Sequence, residues 1–109
     1  MAKKAILDII GDFVKAVKKE GIRVDKVILY GSYAHGRERK DSDIDVAIVS
    51  RDFGKDPVEE GMMLFRIAGN IDHRIEPYPV SVKSYLKDTW VPLIYEIRKN
   101  GKEIKVGTR

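Results

Sequence analysis

The stretch LYGSYAHGRERKDSDIDVAIVS, residues 29–50, decides the fold. An apolar run ends at Gly31-Ser32, a polar segment follows, and the chain turns apolar again at Asp43-Ile44-Asp45. Alternation from Asp43 to Val49 predicts a strand. Ile44, Val46 and Ile48 lie on one face, and Asp43, Asp45, Ala47 and Val49 on the other. The two acids therefore project side by side. At roughly 6 Å and an effective dielectric near 20 their repulsion is about 3 kcal/mol. A domain tolerates that when the pair is solvated or when a cation sits between them. Hard oxygen ligands with positions left open for water and phosphate suit Mg²⁺. Solvated acids at the head of a strand are the alternative. A calcium loop through Asp41, Asp43 and Asp45 fails, because Val46 stands where the sharp turn of such a loop needs Gly.

Gly31-Ser32 is the second half of the pattern. A strand ends there, Gly31 lets the backbone come close to a ligand, and a short helical segment over residues 32–36 is expected to follow. Free N–H groups at its start and the Ser32 hydroxyl would suit an anion. An ordinary helix cap would read the same way. Next to a carboxylate pair, however, such a turn could hold a triphosphate at one end and its metals at the other.

Outward from this stretch, Ile6, Ile9, Ile10, Phe13, Val14 and Val17 recur at helical spacing and predict a helix over about residues 3–20, closed by Gly21. Val27–Tyr30 is a short buried strand and residues 37–42 a polar loop. Asp56-Pro57-Val58-Glu59 starts a helix to about residue 71, with Asp56 and Glu59 placed for a capping box. Val58, Met62, Phe65 and Ala68, with Leu64, Ile67 and Ile71, are expected to share its broad core face. Arg74–Tyr78 predicts a third strand, which Pro77 and Pro79 push to an edge or end early. Residues 81–100 are helical, interrupted at Pro92, with Trp90, Leu93, Ile94 and Ile97 inward. Residues 102–106 form a short strand or a tail. The order predicts a small mixed α/β (α+β) domain over residues 1–109, its three- or four-stranded sheet flanked by helices.

Composition excludes several classes. The chain has no cysteine, so disulfides and thiolate–zinc sites are impossible. No run approaches the ~18 apolar residues of a membrane span, and a cytoplasmic location is expected. The net charge of +4 is spread among many acids, which gives little support for direct nucleic-acid binding. His73 has no second ligand at metal spacing. Among the aromatic residues, Tyr33 is best placed for a nucleotide because it follows Ser32.

Gly31-Ser32, ten residues, then Asp43-Ile44-Asp45 resembles the GS-x10-DxD signature of the DNA-polymerase-beta-like nucleotidyltransferases. The surrounding GSYAHGRERKDSDIDVAIV is similar to the minimal nucleotidyltransferase (MNT) branch. The resemblance implies the nucleotidyltransferase fold, a nucleoside triphosphate such as ATP, and two Mg²⁺ ions held by Asp43, Asp45 and a third carboxylate from a neighbouring strand. Glu76 is the candidate, one methylene longer than the Asp common there, with Asp72 next. It further implies catalytic roles for Asp43, Asp45 and Glu76, and phosphate binding at Gly31 and Ser32. Arg37, Arg39 and Lys40 on the intervening loop are candidates to reach the triphosphate, or are simply solvated. His35 stands where relatives commonly carry Arg. With no residues left for a second domain, the acceptor hydroxyl is expected on another polypeptide. In the MNT branch that is a helical HEPN-domain partner, often a toxin, with the nucleotidyltransferase as its antitoxin. The alternatives are a nucleotide-binding antitoxin without efficient catalysis and a stand-alone enzyme modifying a small molecule.

Overall fold

A computed structural model describes residues 2–39 and 42–105. The elements in chain order are α1 (Ala2–Lys19), β1 (Lys26–Tyr30), a 3₁₀ turn (Gly31–Tyr33), β2 (Ile44–Ser50), α2 (Pro57–Gly69), β3 (Ile75–Ser81), α3 (Val82–Lys87), α4 (Pro92–Asn100) and β4 (Lys102–Glu103). The strands form one mixed sheet in the order β3-β2-β1-β4. β1 runs antiparallel to β2 and to β4, while β2 and β3 are parallel and joined through α2. A parallel neighbour requires a crossover, and the apolar helix after Pro57 supplies it.

Alternation along the strands divides the core in two. Leu29, Ile44, Val46, Ile48 and Ile75 face one side, where α1 and α2 cover them with Ile10, Phe13, Leu64 and Ile67. Ile28, Ala47, Val49 and Val80 face the other, under Ile94 and Ile97 of α4. β2 lies between β1 and β3 and is apolar from Val46 to Val49, between Asp45 and the buried Ser50, as suits a strand covered on both faces.

Several sequence expectations are corrected. β3 takes the edge as predicted, but it continues through Pro79 to Ser81. On an outer strand a missing N–H need not break the ladder. The helical stretch after Ser81 is interrupted before Pro92 as expected, over residues 88–91, and Ser81 caps α3 by accepting from the Ser84 N–H at 3.0 Å. Trp90 falls in that break and is 80% exposed instead of joining the core. The outer half of the expected α2 core face, Val58, Met62 and Phe65, is likewise exposed, while Leu64, Ile67 and Ala68 are buried. At the start of α2, Asp56 does accept from the Glu59 N–H at 3.1 Å. The return bonds come from Glu60, whose carboxylate accepts from the N–H groups of Gly54, Lys55 and Asp56. The Glu59 side chain is left in solvent. α4 stops at Gly101 as expected, and only glycine fits at that position: a Cβ there would collide with the Ile97 carbonyl oxygen and with Ile28 Cγ2.

Candidate functional site

The parallel pairing of β2 with β3 sets Asp45 directly opposite Glu76, and the antiparallel pairing with β1 sets Tyr30 on its other side. Asp43 stands one residue before β2, on the same face by alternation. Asp43 and Glu76 are exposed and Asp45 is half-buried. The three carboxylates thus share one end of the β2–β3 pair, on the face covered farther along by α4. Asp72 is not part of the group. Its carboxylate accepts from the Arg74 guanidinium at 3.1 Å, and that contact holds its pKa below the usual carboxylate range.

No Lys, Arg or His is ion-paired with Asp43, Asp45 or Glu76 among the described residues. Burial first, then the charges of Asp43 and Glu76, push the Asp45 pKa up. The Tyr30 hydroxyl is pushed up to about 12, by burial first and then by Asp45, Tyr78 and Glu76. Such a set of uncompensated hard oxygens suits a divalent cation of the Mg²⁺ kind. As the side chains stand, no three His, Asp or Glu among the described residues are gathered closely enough to hold one ion.

Gly31 abuts this group. Its φ of +73° is a left-handed conformation that suits glycine, and a Cβ would strike the Asp45 carboxylate, with Cγ at 3.1 Å. The segment after it is a single 3₁₀ turn, shorter than the helix expected, and a macrodipole is not available from it. What the turn offers is the Ser32 hydroxyl. It caps nothing and has no hydrogen-bond partner among the described residues. The Arg37 N–H donates to the Ser32 carbonyl at 2.9 Å and the Arg39 N–H to Ser42 Oγ at 2.6 Å, which folds the loop while both guanidinium groups stay exposed. Lys40 lies outside the described residues. His35 Nε2 contacts Glu96 Oε2 at 3.0 Å and ties the turn to α4.

Tyr33 turns the other way, packing on the α1–α2 side of the core. Tyr30 and Tyr78 are the aromatic residues beside the carboxylates, whereas the sequence reading ranked both below Tyr33. The signal for Tyr30 was the alternation from Ile28. For Tyr78 it was the same two-residue step that places Glu76.

A family model, polymerase beta nucleotidyltransferase, matches residues 13–107. The chain belongs to this nucleotidyltransferase family. A Sulfolobus solfataricus protein assigned to the nucleotidyltransferases is similar in structure, with a TM-score of 0.64 and 19% identity over 91% of this chain and 78% of the other. A toxin–antitoxin structure with AMP-PNP superposes with a TM-score of 0.55 and 19% identity, covering 94% of this chain and 74% of that one. A third, at 0.52 and 17% identity over 89% and 73%, is a toxin–antitoxin MntA–HpeT mutant in which two aspartates two positions apart are replaced by glutamate. No curated protein matches in sequence. At these identities the likenesses establish the nucleotidyltransferase fold.

Proposed function

We propose that this nucleotidyltransferase transfers AMP from ATP to a hydroxyl on a partner protein, as the antitoxin of a toxin–antitoxin pair of the HEPN/MNT kind. One observation carries the reading: Asp43, Asp45 and Glu76 lie on the same face at one end of the β2–β3 pair, with Gly31 against Asp45. The toxin–antitoxin structures of the same fold, one with an ATP analogue, support the biological setting.

The chain's own groups have distinct tasks. The Ser32 hydroxyl donates to a phosphate oxygen, and Gly31 lets the nucleotide approach Asp45. Arg37 and Arg39, together with Lys40, supply positive charge to the triphosphate. Mg²⁺ bound by the three carboxylates would neutralise phosphate charge and acidify the acceptor. The acceptor oxygen bonds to the α-phosphorus, the bond from that phosphorus to the α–β bridging oxygen breaks, and pyrophosphate leaves. Glu76, exposed at the edge, receives the acceptor's proton. Positioning contributes most of the rate, so the acceptor must come within about 3–3.5 Å of the α-phosphorus.

The test is to purify the chain with the protein that accompanies it and incubate the pair with Mg²⁺–ATP. Intact mass spectrometry should find nucleotidyl units on the partner, absent with Asp43→Asn. ATP binding without any transfer would replace this reading with a non-catalytic nucleotide-binding antitoxin. Transfer to a small molecule, with the partner unmodified, would replace it with a stand-alone enzyme.

A further inference from the structure

The outer face of α2 carries a large exposed apolar stripe. Val58, Met62 and Phe65 are 72%, 64% and 62% exposed, and their spacing of four and three residues lines them up along one side of the helix. The opposite side of α2 is the one that packs on the sheet through Leu64, Ile67 and Ala68. The stripe therefore has no part in the core of this chain. Contiguous exposed apolar side chains of this size mark an interaction surface.

The charges beside the stripe say what covers it. Glu59 and Arg66 are exposed and without an ion-pair partner among the described residues. Glu59 is free because Glu60 has taken over the capping bonds. The two lie seven residues apart, on the same flank of the stripe. When two copies of a helix pack antiparallel about a two-fold axis, like flanks meet and the residue order reverses. Centred between Met62 and Met63, such a pairing brings Glu59 of each copy opposite Arg66 of the other. Met62 lies next to the axis, close to its own counterpart. Phe65 comes level with position 60 of the second copy, beside Gly61, where no Cβ stands in its way.

We propose that α2 is a self-complementary docking face for a second copy of this chain, an antiparallel helix pair with an apolar centre and two Glu59–Arg66 ion pairs. Three side chains on two turns fall short of a standard stable interface, so the dimer is weak and forms with rising concentration. α2 covers the sheet face opposite the carboxylates, so two copies joined there keep both Asp43–Asp45–Glu76 edges open.

Sedimentation velocity from roughly 10 μM to roughly 1 mM, the range a below-standard interface calls for, should show the weight-average mass rise towards a dimer. Phe65→Glu should remove the rise. Glu59→Arg and Arg66→Glu should each weaken the dimer roughly tenfold, because two pairs turn repulsive at once, and the double swap should restore it. The chain has no cysteine, so Met62→Cys should give a disulfide-linked dimer on mild oxidation, whereas Lys83→Cys on α3 should not. A monomer throughout that range would overturn the proposal, as would a dimer indifferent to the α2 changes. So would a monomer whose α2 variants lose a different partner protein.

Discussion

Asp45 and Glu76 occupy the same rung of the parallel β2–β3 pair, and no cation among the described residues offsets their charge. The raised Asp45 pKa reflects that arrangement: burial and its two acidic neighbours disfavour ionisation. Asp45→Asn should accordingly raise the melting temperature of the ligand-free chain at neutral pH. It should also abolish most of the stabilisation that Mg²⁺–ATP gives the wild type. A ligand at a hundred times its Kd contributes about 2.7 kcal/mol to the folded state. For a domain of this size that is a shift of roughly ten degrees or more. Equal responses of wild type and Asp45→Asn to Mg²⁺–ATP, followed by thermal denaturation, would rule out the carboxylate site.

Glu76 and Asp72 should separate cleanly. Glu76→Gln keeps the shape of the edge but removes one charge from the group, so nucleotidyl transfer should fall at least a hundredfold with little change in stability. Asp72→Asn should leave transfer nearly intact and lower the melting temperature instead, because the charge-assisted bonds from Arg74 to this carboxylate are weakened. Turnover and thermal melts on the two variants decide the assignment. A Glu76→Gln chain with full activity would move the third carboxylate elsewhere.

Much of this arrangement was legible in the sequence because strands enforce a two-residue period. Alternation alone placed Asp43 and Asp45 with Ala47 and Val49, and placed Glu76 opposite in orientation to Ile75. Which strand would stand beside β2, and in which register, was not legible. It follows from the α2 crossover, and with it came the places of Tyr30 and Tyr78, which the sequence reading ranked below Tyr33. The side of α2 that would be buried was also hidden. Its apolar residues surround most of the helix, and periodicity does not say which half meets the sheet. Trp90 was misplaced because its spacing to Leu93, Ile94 and Ile97 is helical, whereas the break before Pro92 takes in residues 88–91. Tyr33, next to Ser32 in sequence, points to the opposite side of the sheet because the 3₁₀ turn rotates it there.

Acid should unfold the chain in a definable window. The Asp52 pKa is lowered to about 2 by its hydrogen bonds with Arg23, and that of Asp25 is lowered by Arg51. A carboxylate whose pKa is depressed by folding contributes stability above its unfolded value, near ~4, and loses it as pH falls through the folded value. Asp45 has the opposite sign, since its raised pKa makes protonation favour the folded state. Melting temperature should therefore hold level or rise slightly on going from neutral pH towards about 5, then drop between about 4 and 2. Asp52→Asn should lower the neutral-pH melting temperature and flatten the acid drop. An acid drop of unchanged depth in Asp52→Asn would assign the transition to other carboxylates.

Ser32 is the clean probe of the phosphate turn, and Gly31 is not. Gly31→Val would force a branched side chain into a left-handed backbone and drive its Cβ into the Asp45 carboxylate. Loss of activity there would follow from damage to the carboxylate group, whatever the nucleotide does. Ser32→Ala removes a hydroxyl that caps no helix and bonds to nothing among the described residues, so the fold has no reason to respond. If that hydroxyl donates to a phosphate oxygen, its loss removes one hydrogen bond of about 1 kcal/mol, a several-fold weaker affinity for ATP. Calorimetric titration with Mg²⁺–ATP should register that loss while the ligand-free melting temperature stays within about a degree of wild type. Unchanged affinity would detach Ser32 from the nucleotide and leave the turn with a purely structural role, that of setting Gly31 against Asp45.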